Sequence, residues 1–330
     1  MKAVDKRQLL FNLYSNNLKT FLELTKLKIK IKNELGEFVE LNESAIFCPL
    51  CKSLFTEELL QNTNSNQLTI EHIPPESVGG KGKILTCKSC NEKFGHDLDH
   101  YINKALNVEP FLKGLPNSIV EGRLRINDSI PFKTKFLYED GKFTLVPSYD
   151  KNIKKHYHNM IDKIQEKWDG VQLKVHFQGS NTKKTNLALV KSAYLEMFNI
   201  FGHTFLFNQN TEKVREQINH PERIILPHSS IIEQNFDDKV TGINVIKEPI
   251  NKICFLIIMK LKVKQNNYSK KVGVLIPGPD EKGWETYSSF KYNEEFAPKL
   301  THFSNLNCIK ERRLTLAYNE IWENVKDGLL

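Results

Sequence analysis

The chain has 330 residues, 40% of them hydrophobic, and a formal net charge of +8 from 47 Lys and Arg against 39 Asp and Glu. That apolar content is enough to bury a core, which excludes wholesale disorder, and the length holds two domains or one large one. The basic balance favours a polyanionic partner, most simply nucleic acid, although a Lys-rich solvated surface gives the same sum.

The opening "MKAVDKRQLLFNLYSNN" lacks the apolar core of a signal peptide, and the densest apolar run, "ICFLIIM" at 253–259, is too short to span a bilayer. The expectation is a soluble, cytoplasmic protein without membrane contact. Residues 6–25 have the spacing of an amphipathic helix, with Leu9, Leu10, Leu13, Phe21 and Leu24 as apolar positions. The alternation in "KLKIKIKNELGEFVELN" at 26–42 predicts a strand, a turn and a second strand. Residues 118–147 alternate and turn at "EDGK", which predicts about three strands. Helical spacing returns at 150–170 and at 185–203, where Gly202 ends the run, and "TEKVREQI" suggests a further helix. From 222 onward strands predominate, with "NKICFLIIMKLKV" the best buried candidate and "RRLTLAYNEIWENVKDGL" a closing helix.

Chemistry concentrates between 47 and 107. Of six cysteines, four form two Cys-x-x-Cys pairs, Cys48 with Cys51 and Cys87 with Cys90, while Cys254 and Cys308 stand alone. Two residues within a pair let a tight turn aim both thiolates at one ion, and four thiolates complete a closed tetrahedral zinc site. No ligand position remains open for water, so the zinc is read as structural. The 35 residues between the pairs exceed what a compact zinc ribbon needs, and they include Glu71 and His72. "LTIEH" reads as a strand, and the two prolines of "IPPES" forbid its continuation by removing ladder donors. "VGGKG" reads as a flexible turn and "KILTC" as the returning strand. The second cysteine pair then opens a helix through Phe94, Leu98, Tyr101 and Ala105, interrupted at Gly95.

"CPLC", "EHIPPESVGG" and "LTCKSCNEKFGHDLD" together resemble the HNH endonucleases of the ββα-metal superfamily, over roughly residues 47–107. The resemblance implies a hairpin carrying the catalytic His72, a helix carrying a metal ligand, and a zinc knuckle clamping the two. It implies His72 as the general base that takes a proton from the attacking water, for which a neutral imidazole is suited near pH 7. It implies Glu71 and Asn91 as ligands of one catalytic divalent cation, Mg²⁺ or Mn²⁺, which would neutralise charge at the phosphate and the leaving oxygen. Successive strand residues face opposite ways, so Glu71 and His72 share a site only if the strand ends or twists there. Asn91 also suits a helix cap. The family's middle Asn is replaced by Gly82, which puts the bracing of the hairpin loop in doubt, and Gly95 fills the slot of a third ligand in colicin-type members. Asp99 is read as a supporting or structural residue, and His96 as a phosphate contact.

Elsewhere, "KNIKKHYH" and "NTKKTNLALVK" are candidate phosphate-binding patches, and His203 and His228 read as structural. There is no Walker loop, Ser-His-Asp set or dinucleotide fingerprint. The expected fold is α+β, a zinc-stabilised ββα-metal module joined to a larger mixed α/β region. The expected segments are an N-terminal helix and hairpin at 1–46, the nuclease module at 47–110, and a substrate-recognition or oligomerisation region at 111–330. The expected function is metal-dependent hydrolysis of nucleic acid, DNA favoured over RNA, with restriction or antiphage defence suggested by analogy and homo-oligomers left open. The alternatives are a zinc-containing nucleic-acid-binding protein without catalysis, and an effector subunit silent until a partner arrives.

Overall fold

The structure is a computed structural model that describes residues 5–32, 37–41, 43–60, 67–127, 131–139, 141–148, 158, 172–177, 181–227, 230–263, 266–291, 297–303 and 308–327. The helix expected at 150–170, the patch "KNIKKHYH" apart from His158, and His228 lie outside them.

Helix α1 (Lys6–Thr25) is capped by Asp5, whose side chain accepts from the Arg7 amide, and it ends at Lys26 in the left-handed conformation. Its buried apolar side chains are Phe11, Tyr14, Leu18 and Phe21, spaced by three and four residues. Leu9 and Leu24, expected on that face, are 55% and 39% exposed. The aromatic positions win because they bury more area and stack: the Tyr14 ring lies 5.1 Å from that of Phe198. Strands β1 (Lys30–Lys32) and β2 (Phe38–Glu40) then pair antiparallel as expected.

A second short ladder, β3 (Ala45–Phe47) with β4 (Leu54–Thr56), brackets the first cysteine pair. The hairpin of β5 (Leu68–Ile73) and β6 (Lys81–Cys87) follows, and β6 runs straight into helix α2 (Lys88–Phe94). Gly95–Asp99 form a π-helical turn before helix α3 (His100–Leu112). Gly95 has open space where a Cβ would stand, so the interruption at this residue is a widened turn rather than a close backbone approach.

Strands β7 (Ser118–Ile126), β8 (Phe132–Glu139), β9 (Lys142–Pro147) and β10 (Leu173–Phe177) form an antiparallel sheet in the order β10-β7-β8-β9. β7 alternates buried and exposed residues along its length, as a sheet with one wet face requires. Helices α4 (Thr182–Phe201), α5 (His203–Leu206) and α6 (Gln209–Asn219) come next. The second sheet has the order β11-β14-β13-β12-β15, from Ile231–Ile232, Ser269–Ile276, Phe255–Lys262, Gly242–Glu248 and Lys299–Phe303. Its central β13 is buried along most of its length, and helices α7 (Glu281–Ser288) and α8 (Ala317–Lys326) complete the region. Every recorded strand pair is antiparallel, so the architecture is α+β, a ββα module with a larger mixed helix-and-sheet region.

Helix α4 is the centre of the molecule. From Leu187 to Leu195 every residue is buried. One apolar core runs from Phe11 on α1, through Ile84 and Phe94 of the hairpin and helix, across Tyr194 and Phe198, to Val274 and Trp322. Burying each such large side chain contributes roughly 1.5–3 kcal/mol relative to leaving it in water. The expected segment boundaries at 46/47 and 110/111 fall within β3 and α3. No described helix is long and apolar enough to cross a membrane.

Candidate zinc centre and active site

Residues 48–52 form a tight turn. The Ser53 carbonyl accepts from the Cys48 amide, the Cys48 carbonyl accepts from the Lys52 amide, and Lys52 is left-handed. The second pair sits at the start of α2, where the Cys87 sulfur caps the helix by accepting from the Cys90 amide at 3.4 Å. The Cys87 amide in turn donates to the Cys48 sulfur at 3.4 Å. The two turns thus converge, and all four Sγ atoms lie within 4.8 Å of one another. Cys51 and Cys87 are separated by 3.8 Å. Thiolates about 2.3 Å from one ion stand about 3.8 Å apart in a tetrahedron, so the donor set fits zinc. Burial pushes the Cys48 thiol up, while contacts with the other three sulfurs, Cys48 first, hold Cys51 down. Sulfurs this close do not ionise together without a cation among them. The cluster is compatible with a structural zinc ion.

The larger region holds this knuckle from outside. The Pro49 carbonyl accepts from the Tyr194 hydroxyl at 3.0 Å, and the Leu50 carbonyl accepts from Arg215 and Asn219. Lys52 pairs with Glu212 on α6.

In the β5–β6 ladder Glu71 pairs with Ile84 while His72 pairs with Gly82, so Lys83 is an extra residue in β6. This bulge sits at the two residues of chemical interest, where bulges commonly re-aim side chains. It does not bring them onto one side. Glu71 is 3% exposed and faces α4, whereas the His72 side chain is 37% exposed, with Nε2 4.0 Å from an oxygen of Glu76.

The loop after His72 is compact, not the flexible turn expected from its glycines. The Pro75 carbonyl accepts from Val78 and Gly80, and the Glu76 carbonyl accepts from Gly79. A Cβ on Gly80 would lie 1.4 Å from the Pro74 carbonyl oxygen, and one on Gly82 would lie 2.4 Å from Ile70 Cγ2. Gly82 therefore stands where no larger residue fits beside Ile70. Bracing comes instead from Lys83, whose Nζ donates to both carboxylate oxygens of Glu196 at 2.8 Å, and whose carbonyl accepts from Tyr14 at 3.5 Å.

Asn91 does not cap α2; that role belongs to Cys87. Its amide donates to Thr69 Oγ1 at 3.0 Å and to the Ile70 carbonyl at 3.3 Å, which ties the helix to β5. Glu71 is engaged as well. Its Oε1 accepts from Lys191 of α4 at 2.9 Å and its Oε2 from Thr86 at 3.4 Å. The same ammonium reaches Asp99 Oδ2 at 2.8 Å and lies 5.8 Å from the Phe94 ring centroid. Lys191 is 1% exposed, so it is no part of a phosphate-binding patch, although Lys183 on the same helix is exposed. Burial raises the Glu71 and Asp99 carboxyls, with Lys191 opposing. Burial also pulls at the Lys191 ammonium, but the two carboxylates outweigh it and hold its proton more tightly than usual.

A hard divalent ion needs an open, charged oxygen. Glu71 is buried, and an ammonium and a hydroxyl already approach its two oxygens, so a divalent ion reaches it only by displacing the ammonium. Glu71, expected to hold Mg²⁺ or Mn²⁺ together with Asn91, therefore does not fit that ion as it stands. His96 is 91% exposed at its side chain, next to Asp97 at 3.5 Å. His203 is fully buried against Asn17, the structural role expected of it.

The sequence reading missed Lys83 and Glu196, and it placed Lys191 in a phosphate-binding patch instead of beside Glu71. Lys191 had a signal: it interrupts "LALVKSAYL", a stretch apolar on all sides of a helix, where a charge is buried and requires a partner.

Residues 48–107 match the family model of HNH endonucleases, and the same segment carries the four-cysteine cluster. The comparisons with curated proteins and with solved structures found no match.

Proposed function

We propose that the chain is an endonuclease that hydrolyses phosphodiester bonds of nucleic acid, DNA in preference to RNA, with His72 as general base. The observation carrying this reading is the position of His72. It is half-exposed at the end of β5, inside the segment that matches HNH endonucleases, and beside a carboxylate. The neutral imidazole accepts a proton from water as the water oxygen bonds to phosphorus. The bond from phosphorus to the leaving oxygen breaks, that oxygen takes up a proton from solvent water, and the imidazolium later returns its proton to solvent. The Glu76 carboxylate, 4.0 Å away, stabilises the imidazolium that forms. The Mg²⁺ or Mn²⁺ implied by the resemblance finds no open donor at Glu71, and the proton transfer assigned to His72 does not depend on it. The basic balance of the chain suits a phosphate backbone. A cytoplasmic setting, a homo-oligomeric state and a role in restriction or antiphage defence belong to the same reading. So does a substrate-recognition role for residues 111–330.

One observation favours a second reading, nucleic-acid binding without hydrolysis: the Lys191 ammonium against Glu71. The deciding experiment incubates the zinc-loaded chain with plasmid, single-stranded DNA and RNA in Mg²⁺, Mn²⁺ or neither. His72→Ala should lower cleavage by about 10²–10⁴-fold and leave binding intact. Binding by wild type without any cleavage would select the second reading.

A further inference from the structure

We propose that Lys191 is a fixed cation supplied by the protein itself to the Glu71–Asp99 carboxylate pair, and that it closes Glu71 to divalent metal in the native state.

Three observations meet at this point. First, the ammonium lies 2.9 Å from Glu71 and 2.8 Å from Asp99, and both it and Glu71 are almost completely buried. The two carboxylates come from different elements, β5 and the π-helical turn, so the ammonium bridges hairpin and helix as a bound ion would. Second, Lys191 belongs to α4, outside the segment that matches the nuclease family. The rest of the chain therefore inserts a charge into the module. Third, α4 is buried without a break from Leu187 to Leu195, and Ala188, Tyr194 and Leu195 around Lys191 have no exposure at all. An ammonium mounted there is not a swinging arm. Withdrawing it would expose core side chains and strand two carboxylates without a counter-ion.

The widened turn also bears on this. Gly95–Asp99 is π-helical, which sets Asp99 against α4, and Asp99 Oδ1 is buried without a hydrogen-bond partner among the described residues. The pair thus has one acceptor to spare and a single positive charge. With Lys191 removed, its geometry becomes that of a small acidic site able to take a divalent ion through Glu71 and Asp99.

This inference uses the HNH assignment of the module but not the assignment of His72 as a base, and its test reads metal binding rather than cleavage. Mn²⁺ is titrated into zinc-loaded protein and followed by electron paramagnetic resonance of the free ion, with protein folding checked by circular dichroism. Wild type and Glu71→Gln should bind Mn²⁺ alike. Lys191→Met, which keeps the length of the side chain without its charge, should gain one Mn²⁺ site, and Lys191→Met with Glu71→Gln should lose it again. A wild-type Mn²⁺ site that disappears in Glu71→Gln would overturn the proposal, as would a folded Lys191→Met that gains none. Should Lys191→Met fail to fold, the comparison of wild type with Glu71→Gln decides alone. Failure of the nuclease reading shows separately, as His72→Ala leaving cleavage unchanged.

Discussion

Lys83, the residue that the β6 bulge pushes out of register, is clasped by Glu196 of helix α4 through two hydrogen bonds of 2.8 Å. A bulge by itself is a local irregularity. Held at its extra residue, it becomes a fixed offset that places His72 opposite Gly82.

Breaking that clasp should be measurable. Lys83→Met and Glu196→Gln should each destabilise the protein by about 1–2 kcal/mol, since each leaves a partly buried charge without its partner. The double variant should lose less than the sum of the two. Urea denaturation of the four proteins gives the coupling, and strict additivity would show that the pair makes no net contribution.

Replacing Cys87 with Ser should lower the melting temperature sharply and release zinc, because Cys87 is both a candidate ligand and the cap of α2. Zinc content by mass spectrometry of native protein, together with calorimetry, checks this. Unchanged melting and unchanged metal content would remove the four-thiolate site.

His203 predicts a pH dependence. Burial depresses its pKa from an ordinary 6.5 to about 3, so the folded protein keeps it neutral where the unfolded chain is protonated. The unfolded state binds more protons below pH 6.5, so the stability contributed by His203 is complete above that value and is lost as pH falls toward 3. The loss is about 1.4 kcal/mol per pH unit within this window. Denaturation between pH 7 and 5 should show the slope, and His203→Gln should flatten it. An equal slope in that variant would assign the effect to another group.

Gly80→Ala should disrupt the loop after His72, because its Cβ would meet the Pro74 carbonyl oxygen, and backbone cannot rotate away as a side chain can. The expected outcome is a fall in cleavage of tenfold or more, with zinc retained. Wild-type cleavage by a folded Gly80→Ala would show that loop geometry does not set the position of His72.

Local order alone determined much of this protein. Two Cys-x-x-Cys pairs, a strand stopped by Pro74 and Pro75, a returning strand and an apolar helical face were enough to read the zinc cluster and the ββα module. The family match and the clustering of the four sulfurs agree with that reading. Helices α1, α4 and α6 and strand β13 were also legible, because periodicity and stop signals lie within a few residues of one another. What lay beyond reach were relationships between residues far apart in the chain. The Glu71–Lys191 pair spans 120 residues and Lys83–Glu196 spans 113. The burial of a charge is decided by what packs around it, and a strand's pleat says only that Glu71 and His72 face opposite sides, not which partner waits on each. The sequence named Glu71 and His72 as one pair. Only tertiary packing, by bringing a lysine from the central helix against the first and leaving the second open to solvent, gave them different environments.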